Sequence, residues 1–535
     1  MARVRPACVS KAMVAGKDFD QTHASTLRTS SVRALFAYAA KYSCAVRSVD
    51  WVAAYLQGEL LEGEDVYCHM PPGYEQYDSS GRPYKLKICK PIYGIPQAGR
   101  RFQRSIFPWI RARGMRQLDE SDDCVWVYDP ACKPTNSEMS AQAGPNDTVT
   151  SPISEPPTTE DIGPSGSPDH EAILITNGDA PDMNEALASY HAANINKERL
   201  VLGVYVDNLQ IVHSASPDDS KSEFARFLKA IQAEWDVEDE GEMVDLLGIQ
   251  IRYNDDKSIT LHQEKYVRQL ISEFLPEGIP KNTPKGCLPY SARINAIVAN
   301  ASHHKPPNGG CNHPELLAPY QRRLGSLMYL ANSTRPDIAW VIGMHCRNMS
   351  SPTPELLREL DYCFVYLARN STIGLTFDAK PTEPSAYCDA SLEVNKSTSG
   401  YTVQWQGATI SWGSTKQKST ALSSCEAEIY ALSEGAKDMV YFRKFLKGLG
   451  EPLPDPSDTY TDNIGASDLA YNPEHHKRSK HIERRHFYVR DMVEAMELRV
   501  PHVGTYDNIA DIFTKDLPSH TFHRLRAILM NEPRH

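Results

Sequence analysis

Four acidic residues in the last third of the chain stand where predicted strands end or predicted helices begin: Asp389, Glu426, Asp462 and Asp511. Converging carboxylates repel one another unless divalent cations neutralise them, and carboxylate oxygens are ligands that Mg²⁺ takes in proteins. Two such ions would activate a water and stabilise the leaving oxygen in a displacement at phosphorus. The pattern indicates metal-assisted hydrolysis, although any one of these acids, taken alone, is more often a solvated surface residue.

Local patterns predict the elements that position these four acids. Segments 385–389 and 459–461 are predicted strands, and they lead into the first and third acids. Ser423 is suited to cap a helix that opens with the glutamate. Asn508 is suited to cap a final helix that holds the last acid. Strands and helices in this order predict a mixed α/β unit.

Two further acids, Asp50 and Asp207, lie upstream in a similar setting. A predicted strand over 45–49 runs into Asp50, and a β-branched run over 199–206 precedes Asp207. Asp207 and the next residue occupy the position of a tight two-residue turn before another apolar run. We expect Asp207 at the tip of a strand-turn-strand unit.

Length and charge divide the chain into modules. A chain of 535 residues is too long for one core and fits two to four domains. The net charge is −11, but segment 129–196 holds eleven acids and one base, which leaves −1 for the rest. Because this segment is rich in Pro, Ser, Thr and Gly and poor in aromatic residues, we expect a disordered acidic insertion. Without it, runs 124–128 and 199–206 would form a hairpin.

Basic residues concentrate in two stretches. Segment 81–116 holds ten bases and no acid, and segment 477–490 holds six bases and one acid. Such patches are typical of proteins that follow a phosphate backbone.

No stretch is apolar enough to cross a membrane or to act as a secretory signal, and none of the twelve cysteines forms a C-x-x-C pair. We therefore expect a cytoplasmic or nuclear protein with reduced thiols, not a secreted one.

The last unit resembles the ribonuclease H domain of copia-type retrotransposon polyproteins. Five ordered motifs carry this resemblance: A-Y-C-D-A (386–390), S-S-C-E-A-E (423–428), Y-T-D-N (460–463), R-S-K-H-I (478–482) and N-I-A-D-I-F-T-K (508–515). The resemblance implies that the catalytic metal ligands are Asp389, Glu426, Asp462 and Asp511. It gives Glu428 the weaker claim of the two glutamates.

The upstream region is similar to the reverse transcriptase of the same family. The similarity rests on V-D-W-V-A-A-Y-L-Q-G-E-L (49–60), D-V-Y-C-H-M-P-P-G-Y (65–74), I-Y-G-I-P-Q-A-G-R-R-F (92–102), L-G-V-Y-V-D-N (202–208) and L-L-G-I-Q-I (246–251). The family's thumb and connection are matched by L-G-S-L-M-Y-L (324–330), T-R-P-D-I-A (334–339) and G-L-T-F (374–377). Nearly the whole chain is covered, apart from the acidic insertion.

The resemblance implies an α+β architecture. A right-hand polymerase with fingers, palm and thumb would occupy 1–128 and 197–280, interrupted by the insertion at 129–196. A linker and connection would follow over 281–380, and a mixed α/β ribonuclease H-like domain would occupy 381–535.

The resemblance also implies the activity and its residues. Asp50 and Asp207 would hold Mg²⁺ or Mn²⁺ for RNA-directed DNA synthesis. Tyr55 would exclude a ribose 2′-hydroxyl, while Gln97 and Arg100 would lie under the nucleotide and template. The implied partners are an RNA template, a DNA primer, deoxynucleoside triphosphates and an RNA–DNA hybrid.

Three departures from the family keep other interpretations open. Asn208 stands where the family has a second carboxylate, the fingers over 11–20 are abbreviated, and the acidic insertion is an addition. A relic with an inactive polymerase that acts only as a ribonuclease H is one alternative. A non-enzymatic nucleic-acid-binding or capsid-associated protein retained from a degenerate element is a second alternative, and a pseudogene from which no protein is made is a third. The insertion itself is either a retained intron or a surface loop.

Overall fold

The structure is a computed structural model. It describes residues 23–60, 66–129, 198–216, 218–306, 308–392, 396–471 and 483–533. The abbreviated fingers segment at 11–20, the expected acidic insertion apart from Asp129, and the basic residues at 477–482 lie outside the described residues. Among the described residues, no helix is long and apolar enough to cross a membrane.

Helices and strands alternate along the described chain, which makes the architecture mixed α/β. The α-helices are α1 (Thr29–Tyr42), α2 (Ala54–Gln57), α3 (Ala98–Arg111), α4 (Glu223–Glu234), α5 (Glu264–Phe274), α6 (Ile294–His303), α7 (Pro314–Ser333), α8 (Ala339–Cys346), α9 (Pro354–Arg369), α10 (Ser424–Gly448), α11 (Ile464–Tyr471), α12 (Glu483–Glu494) and α13 (Ser519–Met530). The strands are β1 (Ala45–Trp51), β2 (Tyr67–His69), β3 (Lys85–Lys87), β4 (Met115–Leu118), β5 (Asp122–Tyr128), β6 (Leu200–Tyr205), β7 (Asn208–His213), β8 (Val237–Glu242), β9 (Asp245–Leu246), β10 (Ile249–Tyr253), β11 (Ile259–His262), β12 (Leu375–Phe377), β13 (Ser385–Ser391), β14 (Thr398–Trp405), β15 (Ala408–Lys416), β16 (Ser457–Thr461) and β17 (Leu498–Arg499).

Six antiparallel strands form what we term the central sheet, in the order β4-β5-β6-β7-β1-β8. The predicted hairpin across the acidic insertion is confirmed, because β5 pairs with β6. The tight turn before β7 is shifted by one residue from the prediction. It consists of Val206 and Asp207, because Tyr205 already pairs with Asn208. Asp50 likewise lies within β1 rather than after it.

Helices cover both faces of the central sheet. Phe102 and Ile106 of α3 and Phe227 of α4 pack with strand residues such as Val49 on one face. Helix α1 packs on the other face, where every residue from 31 to 40 is buried. A helix buried all round is a core element, and α1 also contacts β15.

Arg33 is the one charged residue in that buried stretch of α1. Its Nε donates to the carbonyl of Ile410 at 2.6 Å, and its Nη1 donates to the carbonyls of Asn332 at 2.9 Å and Ser333 at 3.0 Å. The guanidinium also stacks over Trp412, 4.0 Å from the ring centroid. These bonds satisfy a buried charge and join α1 to the end of α7 and to β15.

The C-terminal sheet, as we name it, has the order β15-β14-β13-β16-β17. The first three strands are antiparallel, whereas β13, β16 and β17 run parallel. Helix α10 packs against β13 and β14. Ser423 caps α10 as predicted, since its side chain accepts a hydrogen bond from the backbone N–H of Glu426 at 3.2 Å.

Local sequence patterns predict a Pro-rich linker over 276–314 and a single strand over 246–253, and the structure contradicts both predictions. The Pro-rich linker expected over 276–314 contains helix α6, whose Ile294, Val298 and Ala301 are buried. The single strand expected over 246–253 is two strands, β9 and β10. Leu247 and Gly248 separate these strands, and both have positive φ angles, 56° and 76°.

Candidate functional site

Three carboxylates meet at the C-terminal sheet. Asp389 lies on β13, Asp462 follows β16, and Glu428 lies in the first turns of α10. One oxygen from each of the three lies within 4.8 Å of the others. Asp389 and Glu428 are buried, and Asp462 is half-buried. Together with Asp511 these residues form what we call the C-terminal acid cluster.

The glutamate of this cluster is Glu428, which corrects the expectation of Glu426. The carboxylate of Glu426 accepts hydrogen bonds from the backbone N–H of Leu422 at 2.6 Å and from the hydroxyl of Tyr430 at 3.4 Å. Residues two positions apart on a helix point in nearly opposite directions. Only one of the two glutamates can therefore face β13.

Asp511 joins the cluster through Lys515. Asp511 lies in a 3₁₀ helix (Ile509–Phe513) that Asn508 caps, rather than in the final α-helix as predicted. The Nζ atom of Lys515 lies 2.9 Å from Asp511 Oδ1 and 3.5 Å from Asp389 Oδ2. The hydroxyl of Thr514 also donates to Asp389.

The cluster disfavours full ionisation. Burial raises the pKa of Glu428 to about 9, and the charges of Asp389 and Asp462 add to this effect. Burial also raises the pKa of Asp511 to about 7, with the charge of Asp389 as the next cause. Crowded carboxylates of this kind either hold protons or are neutralised by a cation.

The metal-free protein is expected to lose stability as the pH rises. A carboxyl group whose pKa is raised on folding stabilises the folded state fully below its unfolded value, near 4.5 for glutamate. That contribution is lost as the pH rises towards about 9. In EDTA at pH 8.5, the free energy of unfolding of Glu428→Gln is expected to be larger than that of the wild type by on the order of 3 kcal/mol.

Thermal unfolding of both proteins at pH 5.5 and 8.5 measures this difference. At pH 5.5 the two melting temperatures should be close, and Mg²⁺ should reduce the difference at pH 8.5. An equal change in melting temperature between pH 5.5 and 8.5 in both proteins would contradict the prediction.

The cluster is suited to a divalent metal ion. Glu428 Oε2 is buried and has no hydrogen-bond partner among the described residues. An orphaned carboxylate oxygen beside two further carboxylates matches the oxygen ligands of Mg²⁺ or Mn²⁺. Asp389, Glu428 and Asp462 are therefore the residues that would hold such an ion.

A second group of acids lies on the central sheet. Asp50 on β1 pairs directly with Asn208 on β7 and with Glu238 on β8, so these three residues form one row across the sheet. Asp207 is placed next to this row by the turn before β7, and its carbonyl accepts from the backbone N–H of Trp51 at 2.8 Å. We term Asp50 and Asp207 the central acid pair.

The central acid pair is also electrostatically crowded. Burial raises the pKa of Asp50 to about 6, and the charges of Asp207 and of two glutamates on β8 add to the effect. The Tyr93 hydroxyl lies 3.5 Å from Asp207 Oδ2. Burial and the Asp207 charge raise the pKa of Tyr93 to about 12, so this hydroxyl stays protonated. Two acids with carboxylate oxygens are again suited to a divalent cation.

The other residues predicted for the upstream site do not all lie beside the central acid pair. Tyr55 on α2 packs its ring against Tyr93, with the centroids 4.3 Å apart. Gln97 precedes α3 and is fully buried, and its amide has no hydrogen-bond partner in the described part of the chain. Arg100 is half-buried in the first turn of α3. The structure therefore places Tyr55 beside the acid pair and Gln97 in the interior.

The basic segment 81–116 is only partly available at the surface. Lys85 and Lys87 are exposed on β3. By contrast, Arg101 is buried, Arg113 pairs with Glu234, and Arg116 donates to the carbonyl of Gly448 at 2.7 Å.

Sequence reasoning missed three polar residues of these sites. Lys515 and Thr514 belong to the motif over 508–515, but that motif was used only for its acid. Tyr93 lies in the motif over 92–102, and no sequence signal linked it to Asp207.

The chain is similar to known proteins over most of its length, and part of it matches a family model. Residues 2–127 match the family model described as reverse transcriptase (RNA-dependent DNA polymerase). The retrovirus-related Pol polyprotein from transposon TNT 1-94 of Nicotiana tabacum is 26% identical over 522 residues, covering 96% of this chain and 33% of that protein. The corresponding polyprotein from transposon RE1 of Arabidopsis thaliana is 27% identical over 520 residues, covering 96% of this chain and 29% of that protein.

Among solved structures, the chain is similar to a foamy viral protease-reverse transcriptase in complex with double-stranded DNA. The identity is 12%, the TM-score is 0.28, and the match covers 62% of this chain and 48% of that one. A likeness this weak does not assign a fold.

The chain spans about a third of the length of the curated Pol polyproteins it matches. The matches to both plant polyproteins run through the central and the C-terminal sheets alike. Over nearly its whole length the chain is therefore similar to the Pol polyproteins of copia-type retrotransposons, and its residues 2–127 match the reverse transcriptase family model.

Proposed function

We propose that the chain is an RNA-directed DNA polymerase fused to a ribonuclease H, and that each activity uses divalent metal ions. The observation that carries the proposal is the presence of two separate acid groups, one on each large sheet. Asp50 of the central acid pair lies within residues 2–127, which match the reverse transcriptase family model, and Asp207 contacts this region through its bond with the backbone N–H of Trp51. The C-terminal acid cluster lies on a different sheet and has its own orphaned carboxylate oxygen.

The proposed domains follow the sequence expectation. Fingers, palm and thumb would span 1–128 and 197–280, and the ribonuclease H-like domain would span 381–535. The connection over 281–380 holds four α-helices in its described part and ends with β12, which pairs with β11. That pairing would tie the connection to the polymerase unit.

The residues proposed for DNA synthesis would bind metal ions, nucleotide and template. Asp50 and Asp207 would hold Mg²⁺ or Mn²⁺, which when bound neutralises charge at phosphorus and activates the attacking oxygen. Tyr55 and Tyr93 form an aromatic wall beside Asp207, and Tyr55 would exclude the 2′-hydroxyl of a ribonucleotide. Arg100 would contact the phosphates or the template from the first turn of α3.

The C-terminal acid cluster would cut the RNA strand of a hybrid. Asp389, Glu428 and Asp462 would hold the metal ion on one side of the cluster. Asp511 would complete the set from the 3₁₀ helix. Because the cluster is buried at its base, its carboxylates are held in place by β13 and α10 before any substrate arrives.

The nucleic acid would follow exposed basic and aromatic groups. Lys85 and Lys87 share a two-stranded sheet with Tyr67, which is exposed, as is Tyr84 just before β3. Basic groups next to exposed rings suit a phosphate backbone with stacked bases. The proposed partners are an RNA template, a DNA primer, deoxynucleoside triphosphates and the RNA–DNA hybrid, in the cytoplasm or the nucleus.

A second candidate is a ribonuclease H whose polymerase is inactive. Asn208 favours it, because the neighbour of Asp50 on the β7 side of this row is an amide instead of a carboxylate. A unit charge at about 4 Å contributes roughly 4 kcal/mol at an effective dielectric of about 20. Each ~1.4 kcal/mol in a barrier changes a rate about tenfold. The missing charge therefore limits the polymerase by at most about a thousandfold.

Restoring that charge is expected to accelerate DNA synthesis. Asn208→Asp should raise the rate of primer extension about tenfold at saturating Mg²⁺, because the added carboxylate attracts the ion that the pair would hold. Single-nucleotide primer extension on an RNA template measures the change. Asn208→Leu, which has a similar volume and no charge, is the control and should give no gain. An unchanged or lower rate for Asn208→Asp would count against the assigned role of this row.

The proposal itself is tested by two assays on the purified chain. Primer extension on an RNA template and cleavage of a labelled RNA–DNA hybrid are each run with Mg²⁺, with Mn²⁺ and with EDTA. Both activities with metal and neither with EDTA are expected. Cleavage without extension would favour the second candidate, and the absence of both would overturn the proposal.

A further inference from the structure

Lys515 places a cation inside the C-terminal acid cluster. Its ammonium contacts Asp511 at 2.9 Å and Asp389 at 3.5 Å, and the charge of Asp462 also acts on it. The side chain is 36% exposed, whereas Asp389 is almost fully buried. The lysine therefore reaches the acids from the solvent side of the cluster.

This arrangement divides the four acids into two parts. Asp389, Glu428 and Asp462 bring three oxygens together, and Glu428 Oε2 lacks a partner among the described residues. Asp511, in contrast, already has a positive partner in Lys515. Asp389, Glu428 and Asp462 can thus bind an added metal ion, whereas Asp511 is already paired with the ammonium of Lys515.

Charge balance gives the same division. When metal binding displaces the protons, the four carboxylates and the ammonium carry a charge of −3, which one divalent ion reduces to −1 and two ions convert to +1. Without the ammonium, two divalent ions would balance the four acids. A second ion is therefore disfavoured as long as the ammonium stays in place.

We propose that Lys515 stands in for the second divalent cation of the C-terminal acid cluster and controls the affinity of that ion. The proposal rests on the proposed function of this cluster. One ion binds to Asp389, Glu428 and Asp462 while Lys515 holds Asp511. A second ion binds tightly only when the ammonium moves away.

The structure allows that movement without refolding. Lys515 follows the 3₁₀ helix (Ile509–Phe513), and its backbone N–H is tied to the carbonyl of Asp511 at 3.4 Å. Rotation of the flexible lysine side chain takes the ammonium into solvent while this backbone contact remains. The hydroxyl of Thr514 continues to donate to Asp389 and keeps that carboxylate in place.

The test is a Mn²⁺ binding titration on the full-length chain, without nucleic acid. All proteins carry Asp50→Asn, so that the central acid pair does not contribute to binding. With Lys515 present, we expect one tight ion and a second that binds at least about tenfold more weakly. In Lys515→Met the second ion should tighten about tenfold, because a repelling unit charge has been removed.

Two further variants control for charge and for general surface effects. Lys515→Arg keeps the positive charge and should retain the weak second site. Lys437→Met removes an exposed lysine that pairs with Glu434 on α10 and should leave both sites unchanged. If Lys515→Met fails to fold without metal, its refolding on addition of Mn²⁺, followed by circular dichroism, would support the proposal, and failure to refold would overturn it.

The outcomes separate this inference from the proposed function. If the cluster binds Mn²⁺, and Asp389→Asn abolishes that binding, an unchanged titration in Lys515→Met overturns the inference alone. If no variant binds Mn²⁺ at the cluster, the inference and the metal-dependent function of the cluster both fail.

Discussion

Replacing Asp50 with Asn is expected to reduce primer extension on an RNA template by at least about a thousandfold. Asp50 lies between Asn208 and Glu238 in one row of the central sheet and next to the turn that carries Asp207. Because Asn208 contributes no charge, the central acid pair has no spare carboxylate at that position. With Asn at position 50, Asp207 would be the one carboxylate of the central acid pair left to hold a divalent ion.

The measurement is single-turnover primer extension at saturating Mg²⁺. Glu242→Gln is a matched control, since it removes an exposed carboxylate from β8 on the same sheet. It should extend primers at the wild-type rate. Hybrid cleavage by Asp50→Asn should also be unchanged, which would show that the variant is folded. Normal extension by Asp50→Asn would remove the central acid pair from the mechanism.

Glu428→Gln is expected to reduce hybrid cleavage by at least about a thousandfold, whereas Glu426→Gln should stay within about threefold of the wild type. The Glu428 carboxylate lies among Asp389 and Asp462, with an oxygen that has no partner in the described chain. The Glu426 carboxylate accepts the N–H of Leu422, a bond that a Gln side-chain carbonyl can also accept.

Cleavage rates of a labelled RNA–DNA hybrid test this contrast. The two variants share the same chemical change two residues apart on one helix, so each controls for the other. Primer extension should be normal in both. Loss of cleavage in Glu426→Gln with retention in Glu428→Gln would reverse the assignment and restore the prediction made from sequence.

The choice between the two glutamates shows what the sequence left open. Both lie near the cap of α10, and only the docking of the helix on β13 decides which one faces the acids. A signal was present at Gly435, seven residues after Glu428 and therefore on the same face. A Cβ at Gly435 would collide with the sulfur of Cys388. This glycine marks the helix face that approaches β13.

Other elements were predictable because their signals are local. Apolar spacing in the sequence predicts helices over 264–274 and 354–369, and α5 and α9 have these bounds. The pairing of β5 with β6 was predictable because the acidic segment between them has a composition unlike that of a folded core.

Where the predictions failed, a strong local sequence pattern outweighed a weaker one that indicated the observed structure. The prolines around α6 indicated a linker and obscured the apolar spacing of Ile294, Ile297, Val298 and Ala301. The apolar run through β9 and β10 obscured Gly248, whose positive φ allows the tight turn between the two strands. The place of Lys515 in the acid cluster depends on tertiary contacts, which no local pattern encodes.

The most direct test of the account follows both strands in one reaction. The wild-type chain is given a DNA primer and an RNA template that carry different labels, with Mg²⁺, and both strands are measured over time. The account predicts extended DNA together with a shortened RNA template, and Asp389→Asn should give extended DNA on intact RNA. Extended DNA with intact RNA in the wild type, or no extension at all, would contradict the claim that one chain synthesises DNA and removes RNA.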